Sequence, residues 1–399
     1  MEPSDMDDRR RRGVAGQRRR VSARRSGKAF NRDREQNSGG TLRPRTTRRG
    51  REEQTRDRWH GEDDDDVRSR PTYPMYSPTE WVKRHLFRRN PETGSLDSVE
   101  KYRKIRRAMG QRLQQGRIPH VAHSQNPEKN RYRDVLCQDK NRVVLTGTPG
   151  GDYVHASYVT LYSGEKTICA QGPKEGTCED FWRMIWQEGT RLIIMLCSLE
   201  ENGREKCFKY YCDETQWEQR FGAIQLRLEN HWIKELSQYK NTPVRCHKIL
   251  LRYEKESPRS VLHVIYDRWP DKDIPQTEPA LNLLSTIESW KQEIAAQWVT
   301  AEQPKSGPVV VHCSAGIGRT GTLVSLQICN QIMKREGKIP DVFAVVRDVR
   351  DQRLHAVQTE WQYWFIHHAL VELAIRRNLV HRTQVDRNAL TKEYGNLRK

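Results

Sequence analysis

Three β-branched residues, Val309, Val310 and Val311, run straight into His312-Cys313-Ser314-Ala315-Gly316-Ile317-Gly318-Arg319-Thr320-Gly321-Thr322. A valine triplet of this kind favours a buried strand. Gly316, Gly318 and Gly321 then let the backbone turn tightly and approach a ligand closely. From Arg319 onward, Leu323, Val324, Leu326, Ile328 and Ile332 recur at helical spacing. The stretch reads strand, glycine-rich loop, helix, and the rest of the chain has to accommodate that unit.

Such a loop turns successive backbone N–H groups inward at a helix N-terminus, which suits a phosphate-sized anion. A cysteine in the same positive field has its pKa lowered, so Cys313 is expected to be a thiolate and a competent nucleophile. Arg319 can fork onto two oxygens of the same anion. A thiolate, an N–H cradle and a guanidinium around one tetrahedral anion are the parts needed to take a phosphoryl group onto sulfur. The bland alternative is a buried structural cysteine in a strand-to-helix turn, the common fate of a lone cysteine.

The length of 399 residues permits two or three domains. Residues 1–76, however, are almost free of large apolar side chains and read as a disordered Arg-rich arm. Arg9 to Arg12, Arg18 to Arg20, Arg24 and Arg25 are followed by an acidic block from Glu62 to Asp66, within a net charge of +19. The basic half suits contact with nucleic acid, a membrane surface or another acidic partner, or nuclear import. A solvated tail with no fixed partner is the simpler reading. Ser22, behind Arg18 to Arg20, looks like a site for a base-directed kinase. Residues 77–380 read as one folded domain and 381–399 as a polar C-terminal tail.

The chain has no run of 18 or more apolar residues and no apolar N-terminal segment, so a soluble cytoplasmic protein is expected, with the nucleus open through the arm. Nine cysteines without paired close spacing fit a reducing compartment, and no Cys/His cluster has zinc spacing.

Within the domain, Trp81, Val82, His85, Leu86 and Phe87 share one side of a short helix that Thr79 is placed to cap. A second helix covers Ser98 to Leu113. Phe181, Trp182, Ile185 and Trp186 give another, and Arg191 to Cys197 is a nearly continuous apolar run that reads as a parallel central strand. Residues 223 to 267 read as a meander, and helical patterns cover Pro279 to Trp298 and Val342 to Val349. A last helix runs from about Glu360 to Arg376, with Thr359 as its cap.

Four blocks resemble the protein tyrosine phosphatase family, tyrosine-specific and of the non-receptor kind, and stand in the family's order across roughly residues 80 to 380. They are Lys129-Asn130-Arg131-Tyr132-Arg133-Asp134-Val135, Trp269-Pro270-Asp271-Lys272-Asp273-Ile274-Pro275, the His-Cys-x-Ala-Gly-x-x-Arg-Thr-Gly stretch from His312 to Gly321, and Val357-Gln358-Thr359-Glu360-Trp361-Gln362-Tyr363. The resemblance implies a single α/β domain with a twisted mixed β-sheet flanked by helices. It also implies hydrolysis of phosphotyrosine in proteins through a phosphocysteine on Cys313, with neither metal nor cofactor.

By that resemblance Arg319 and the loop of Ser314, Ala315, Gly316, Ile317 and Gly318 bind the phosphate. Asp271, on a movable loop, acts as general acid and then base once closure over an apolar ligand raises its pKa. Gln358 orients the hydrolytic water with Gln362 as helper. Thr320 hydrogen-bonds the departing thiolate, and His312 fixes the loop and helps depress the pKa of Cys313. Tyr132 stacks on the substrate ring in a slot too deep for phosphoserine, Asp134 accepts hydrogen bonds from the substrate backbone, and Glu201 holds Arg319 in plane.

Three positions depart from the family pattern. His155 stands where Asn is usual, Asp273 where Gly is usual, and His355 where Gly is frequent. Asp273 is expected to put backbone strain into the lid, and His355 to narrow the mouth. A catalytically silent phosphotyrosine-binding module is the rival of a different class, but such members typically lose the Cys, Arg or Asp kept here. A dual-specificity phosphatase would lack the Lys-Asn-Arg-Tyr wall, and nucleic-acid binding through the arm would be an accessory role.

Overall fold

The computed structural model describes residues 72–147, 151–238, 242–297 and 306–397. The Arg-rich arm up to residue 71, with Ser22 and the partners expected of it, lies outside the described residues.

The chain opens with a short strand, β1 (Met75–Tyr76), and a helix, α1 (Pro78–Arg84). Ser77 caps α1 by accepting from the Glu80 N–H at 3.4 Å. Thr79 therefore lies inside the first turn and is not the cap. Pro78 explains the earlier start, because a fixed φ and a missing N–H suit the first helical position. In α2 (Asp97–Gln114), Val99, Tyr102, Ile105 and Met109 form the buried stripe while the Lys and Arg residues face water. A short helix, α3 (Val121–Gln125), leads to the strands β2 (Arg142–Val144), β3 (Tyr153–Thr160) and β4 (Lys166–Ala170).

Next come α4 (Cys178–Gln187), β5 (Leu192–Met195) and the hairpin β6 (Glu200–Glu201) and β7 (Arg204–Glu205). A strand that sequence did not suggest, β8 (Glu218–Phe221), precedes the meander expected over residues 223 to 267, which is β9 (Ile224–Glu235), β10 (Pro243–Tyr253) and β11 (Arg259–Ile265). There follow α5 (Thr277–Gln297), β12 (Val309–His312), α6 (Gly318–Glu336), β13 (Ile339–Pro340), α7 (Val342–Gln352), α8 (Glu360–Arg376) and α9 (Arg387–Leu397).

One mixed sheet has the order β2-β3-β4-β12-β5-β11-β10-β9-β8. Its centre, β4-β12-β5-β11, is parallel, and both flanks are antiparallel. All four residues of β5 are buried, as a strand covered on both faces demands. Burial of each such Leu, Ile or Met stabilises the fold by roughly 1.5–3 kcal/mol. Helix α4 packs on β3, β9 and β10, while α6 packs on β12, α7 and α8. Because β4, β12, β5 and β11 run the same way, their C-terminal ends share one edge, where open α/β sheets place ligands. Cys313 lies one residue past that end of β12.

The described fold runs beyond residues 77 and 380. β1 pairs with β13, and the Tyr73 hydroxyl donates to Asp348 at 2.8 Å. At the other end Leu390 of α9 is buried, and the Trp361 indole donates to the Leu397 carbonyl at 2.8 Å. A polar average over residues 381–399 hides these few apolar anchors. Among the described residues no helix is long and apolar enough to cross a membrane.

Candidate active site

Cys313 forms the floor of a cavity of about 570 Å³ and is only 3% exposed. The loop above it is shaped by glycine and by one buried arginine. Gly316 has φ +69°, and a Cβ there would meet the Ala170 carbonyl oxygen at 2.1 Å. Arg353 donates to the Gly316 and Ala315 carbonyls, both at 3.1 Å. With the carbonyls held on that side, the Gly316 and Thr320 N–H groups are left to stabilise the Cys313 thiolate. Gly316→Ala should therefore cost at least about 1–2 kcal/mol for the left-handed backbone alone, and more for the clash with β4. A lowered melting temperature together with lost turnover is expected; unchanged melting would mean the loop tolerates the side chain.

Burial by itself pushes the Cys313 thiol up. The Arg319 charge, the Thr320 hydroxyl and the two N–H groups outweigh it, and the net pKa lies below the ordinary thiol value. Thr320 Oγ1 is buried and makes no well-aligned hydrogen bond within the described residues, so the thiolate is the acceptor its dipole stabilises.

His312 contacts the Cys313 carbonyl through Nδ1 at 3.1 Å and the Tyr210 hydroxyl through Nε2 at 2.6 Å. Burial pushes its pKa down to about 4, so the ring is neutral at pH 7. Since a carbonyl only accepts, Nδ1 carries the proton and Tyr210 donates to Nε2; His263 Nε2, 2.8 Å from the same hydroxyl, must then donate to it. The His312 ring thus bridges the Cys313 carbonyl and Tyr210, and being neutral it brings no positive charge to depress the Cys313 pKa.

Arg319, 1% exposed, is held by three acceptors: Glu201 Oε1 at 2.5 Å, the Trp269 carbonyl at 3.1 Å and Asp271 Oδ1 at 3.2 Å. Asp271 Oδ2 also accepts from Lys206 Nζ at 2.7 Å. Burial pushes the Asp271 carboxyl up, yet the Lys206 hydrogen bond and the Arg319 and Lys206 charges more than offset it. The expected upward shift is therefore absent in this state, and the carboxyl lies below its ordinary value.

The lid turn is closed by the Asp273 N–H on the Pro270 carbonyl at 3.3 Å and by the Trp269 indole on the Asp273 carbonyl at 3.0 Å. The left-handed residue is Lys272, at φ +56°, and not Asp273. In a turn closed from Pro270 to Asp273 the third position takes the positive φ, which here falls one residue before the family's glycine.

Tyr132, Asp134, Ser314, Ala315, Gly318, Arg319, Glu201 and Gln358 all line the cavity with Cys313. Ser314 Oγ donates to the Lys206 carbonyl at 2.8 Å, so the Tyr132 hydroxyl, 2.8 Å from it, must be the donor of that pair. The recognition loop is tied down by His155, whose Nε2 donates to the Val135 carbonyl at 2.8 Å while Nδ1 accepts from Arg353 at 3.0 Å. Burial beside Arg353 pushes its pKa down to about 3, so the departure from Asn leaves a neutral bridge between recognition loop and phosphate loop.

Gln358 follows Val357, whose φ of +58° is an outlier for a β-branched residue. Three bonds hold that strain: Val357 N–H to the Ile317 carbonyl at 3.0 Å, and its carbonyl accepting from Tyr102 at 2.7 Å and Arg350 at 2.9 Å. Gln362 is fully buried. Its Oε1 accepts from Gln358 N–H at 2.9 Å and its Nε2 donates to the Asp273 carbonyl at 3.4 Å, so it clamps the lid to the glutamine loop and does not reach the cavity. Nor do Gly316, Ile317, His312 and Thr320 line it; they shape the loop from behind. His355 does not line it either; its backbone is left-handed at φ +62°, and its buried Nε2 has no hydrogen-bond partner among the described residues.

Lys206, Tyr210, His263, Arg350 and Arg353 make contacts that sequence reasoning did not assign. A larger cavity of about 660 Å³ opens by Val309, at the other end of β12, but no Cys, His or Arg lines it. Cys313 and Arg319 line the smaller one.

The family model described as protein-tyrosine phosphatase matches residues 126–372. Over 262 residues the chain is 37% identical to tyrosine-protein phosphatase non-receptor type 9 of Mus musculus, covering 64% of this chain and 43% of that protein. It is 37% identical to non-receptor type 7 of Homo sapiens over 248 residues, covering 61% of this chain and 63% of that one. The chain thus spans less than two thirds of the length of either relative. The solved catalytic domain of human protein tyrosine phosphatase non-receptor type 18 matches with a TM-score of 0.58 at 30% identity, over 69% of this chain and 95% of that chain. A complex of PTPN18 with HER2 phosphopeptides matches with a TM-score of 0.60 at 30% identity, over 69% and 99%.

Proposed function

Because the chain belongs to the protein-tyrosine phosphatase family, we propose that it hydrolyses phosphotyrosine in proteins through a phosphocysteine on Cys313. The observation that carries the reading is one cluster: a thiol with a lowered pKa, a guanidinium held beside it by Glu201, and a carboxyl on the lid above both.

In the first step the Cys313 sulfur attacks phosphorus and the phosphorus–phenol oxygen bond breaks. Arg319 and the loop amides hold the equatorial oxygens, and Asp271 gives its proton to the leaving phenolate. In the second, Asp271 takes a proton from a water placed by Gln358, the water oxygen bonds to phosphorus, and the sulfur–phosphorus bond breaks. Thr320 stabilises the departing thiolate, and inorganic phosphate leaves.

Depth argues for tyrosine. Cys313 lies on a nearly buried floor, and Tyr132 stands at the wall where a phenyl ring has to pass. The test is hydrolysis by the full chain of an aryl phosphate and of matched phosphotyrosine and phosphoserine peptides. Turnover of the first two and much slower turnover of the third are expected; equal rates on both peptides would count against the slot. Tyr132→Ala should raise KM for the phosphotyrosine peptide roughly two- to tenfold, the range for one lost aromatic stacking contact.

A further inference from the structure

Most charges lining the cavity are committed to partners. Arg319 pairs with Glu201 and Asp271, Lys206 with Asp271, and Glu205 with Arg131. Arg204 and Lys272 are different: both line the same cavity, both are exposed, and among the described residues neither makes an ion pair or a side-chain hydrogen bond. They come from separate elements. Arg204 opens β7 just after a turn in which Asn202 and Gly203 both have positive φ, at +53° and +68°. Lys272 projects from the lid in the left-handed conformation, where Gly or Asn would be less strained. A strained, uncommitted cation beside a reacting centre is the kind of outlier that points to a ligand. Against these two cations the cavity lining offers one uncommitted acid, Asp134, on the Tyr132 side.

We infer that Arg204 and Lys272 form an anion subsite at the mouth, which selects phosphotyrosine peptides carrying a second anionic side chain, a carboxylate or a phosphate, a few residues from the phosphotyrosine. This rests on the phosphatase reading above. An anion between the two cations touches both the β6–β7 hairpin and the lid, so it favours the lid position that brings Asp271 to the leaving group. Because both cations are exposed, the preference weakens with salt.

The test uses the full chain and three phosphotyrosine peptides identical except for one flanking residue: Gln, Glu or phosphoserine. The readout is the kcat/KM of each acidic peptide relative to the Gln peptide, which cancels any general change in turnover between variants. Wild type should favour the Glu peptide roughly three- to tenfold, as two exposed charge contacts allow. Phosphoserine, with its charge of about −2, should be favoured more if phosphate is the natural group. In the R204E/K272E double variant both ratios should fall to one or below. A wild-type ratio of one for both acidic peptides, or a double variant that keeps the wild-type ratios, overturns the subsite. If all three peptides and an aryl phosphate fail to turn over, the phosphatase reading falls, and the subsite with it.

Discussion

Cys313→Ser should abolish turnover, lowering kcat by about 10⁴-fold or more, while the protein stays folded and still binds a phosphotyrosine peptide. The loop makes a good nucleophile of a thiol by stabilising its anion, not by removing its proton. Arg319, Thr320 and the Gly316 N–H bring a thiol below its ordinary pKa. The same stabilisation leaves a serine hydroxyl, with its far higher intrinsic pKa, fully protonated. His312 gives it no help, since the ring is neutral and both its nitrogens are engaged, by Tyr210 and the Cys313 carbonyl. Melting temperature and calorimetric peptide binding separate loss of chemistry from loss of fold. Wild-type rates in this variant would refute the phosphocysteine route even if the reaction class survived.

Asp271→Asn should lower kcat on phosphotyrosine peptides roughly 10²–10⁴-fold, the range for a positioned general acid. The loss should shrink for aryl phosphates with acidic phenols, whose leaving oxygen needs no proton. The pH profile of kcat/KM carries a sharper signature, because it reports groups of the free enzyme. There the Lys206 and Arg319 contacts hold Asp271 below its ordinary value despite burial, so the protonated acid is scarce at neutral pH. Wild-type kcat/KM should fall at the alkaline end as Asp271 goes on losing its proton, and at the acid end as the Cys313 thiolate is lost. The Asn variant should lose the alkaline limb and keep the acidic one; an unchanged alkaline limb would move the acid role to another residue.

Some of this was legible one residue at a time. Thr359 caps α8 with Gln362 returning the bond, as a Thr three places before Gln suggests. β5 lies between β12 and β11, parallel to both, where an uninterrupted apolar run belongs. The failures were also local. Pro78, not Thr79, sets the start of α1, and the lid's strain falls on Lys272, because turn closure rather than a family pattern decides which residue goes left-handed. At the C-terminus, Leu390 anchors a helix inside a stretch whose average is polar.

The chemistry of the loop from His312 to Arg319 and the order of the four blocks can be read from the chain because each depends on neighbours along it. Glycines permit the turn, β-branched residues make the strand, and Cys313 and Arg319 lie six positions apart. What restrains those parts comes from far away in sequence. Lys206 reaches Asp271 across 65 residues, Tyr210 reaches His312 across 102, and Arg353 reaches the Gly316 carbonyl across 37. Such contacts exist only once the parallel strands have brought their C-terminal ends to one edge, and no local preference encodes them. The state of Asp271 is therefore a property of the fold: an aspartate in the sequence becomes a carboxylate held by Arg319 and Lys206.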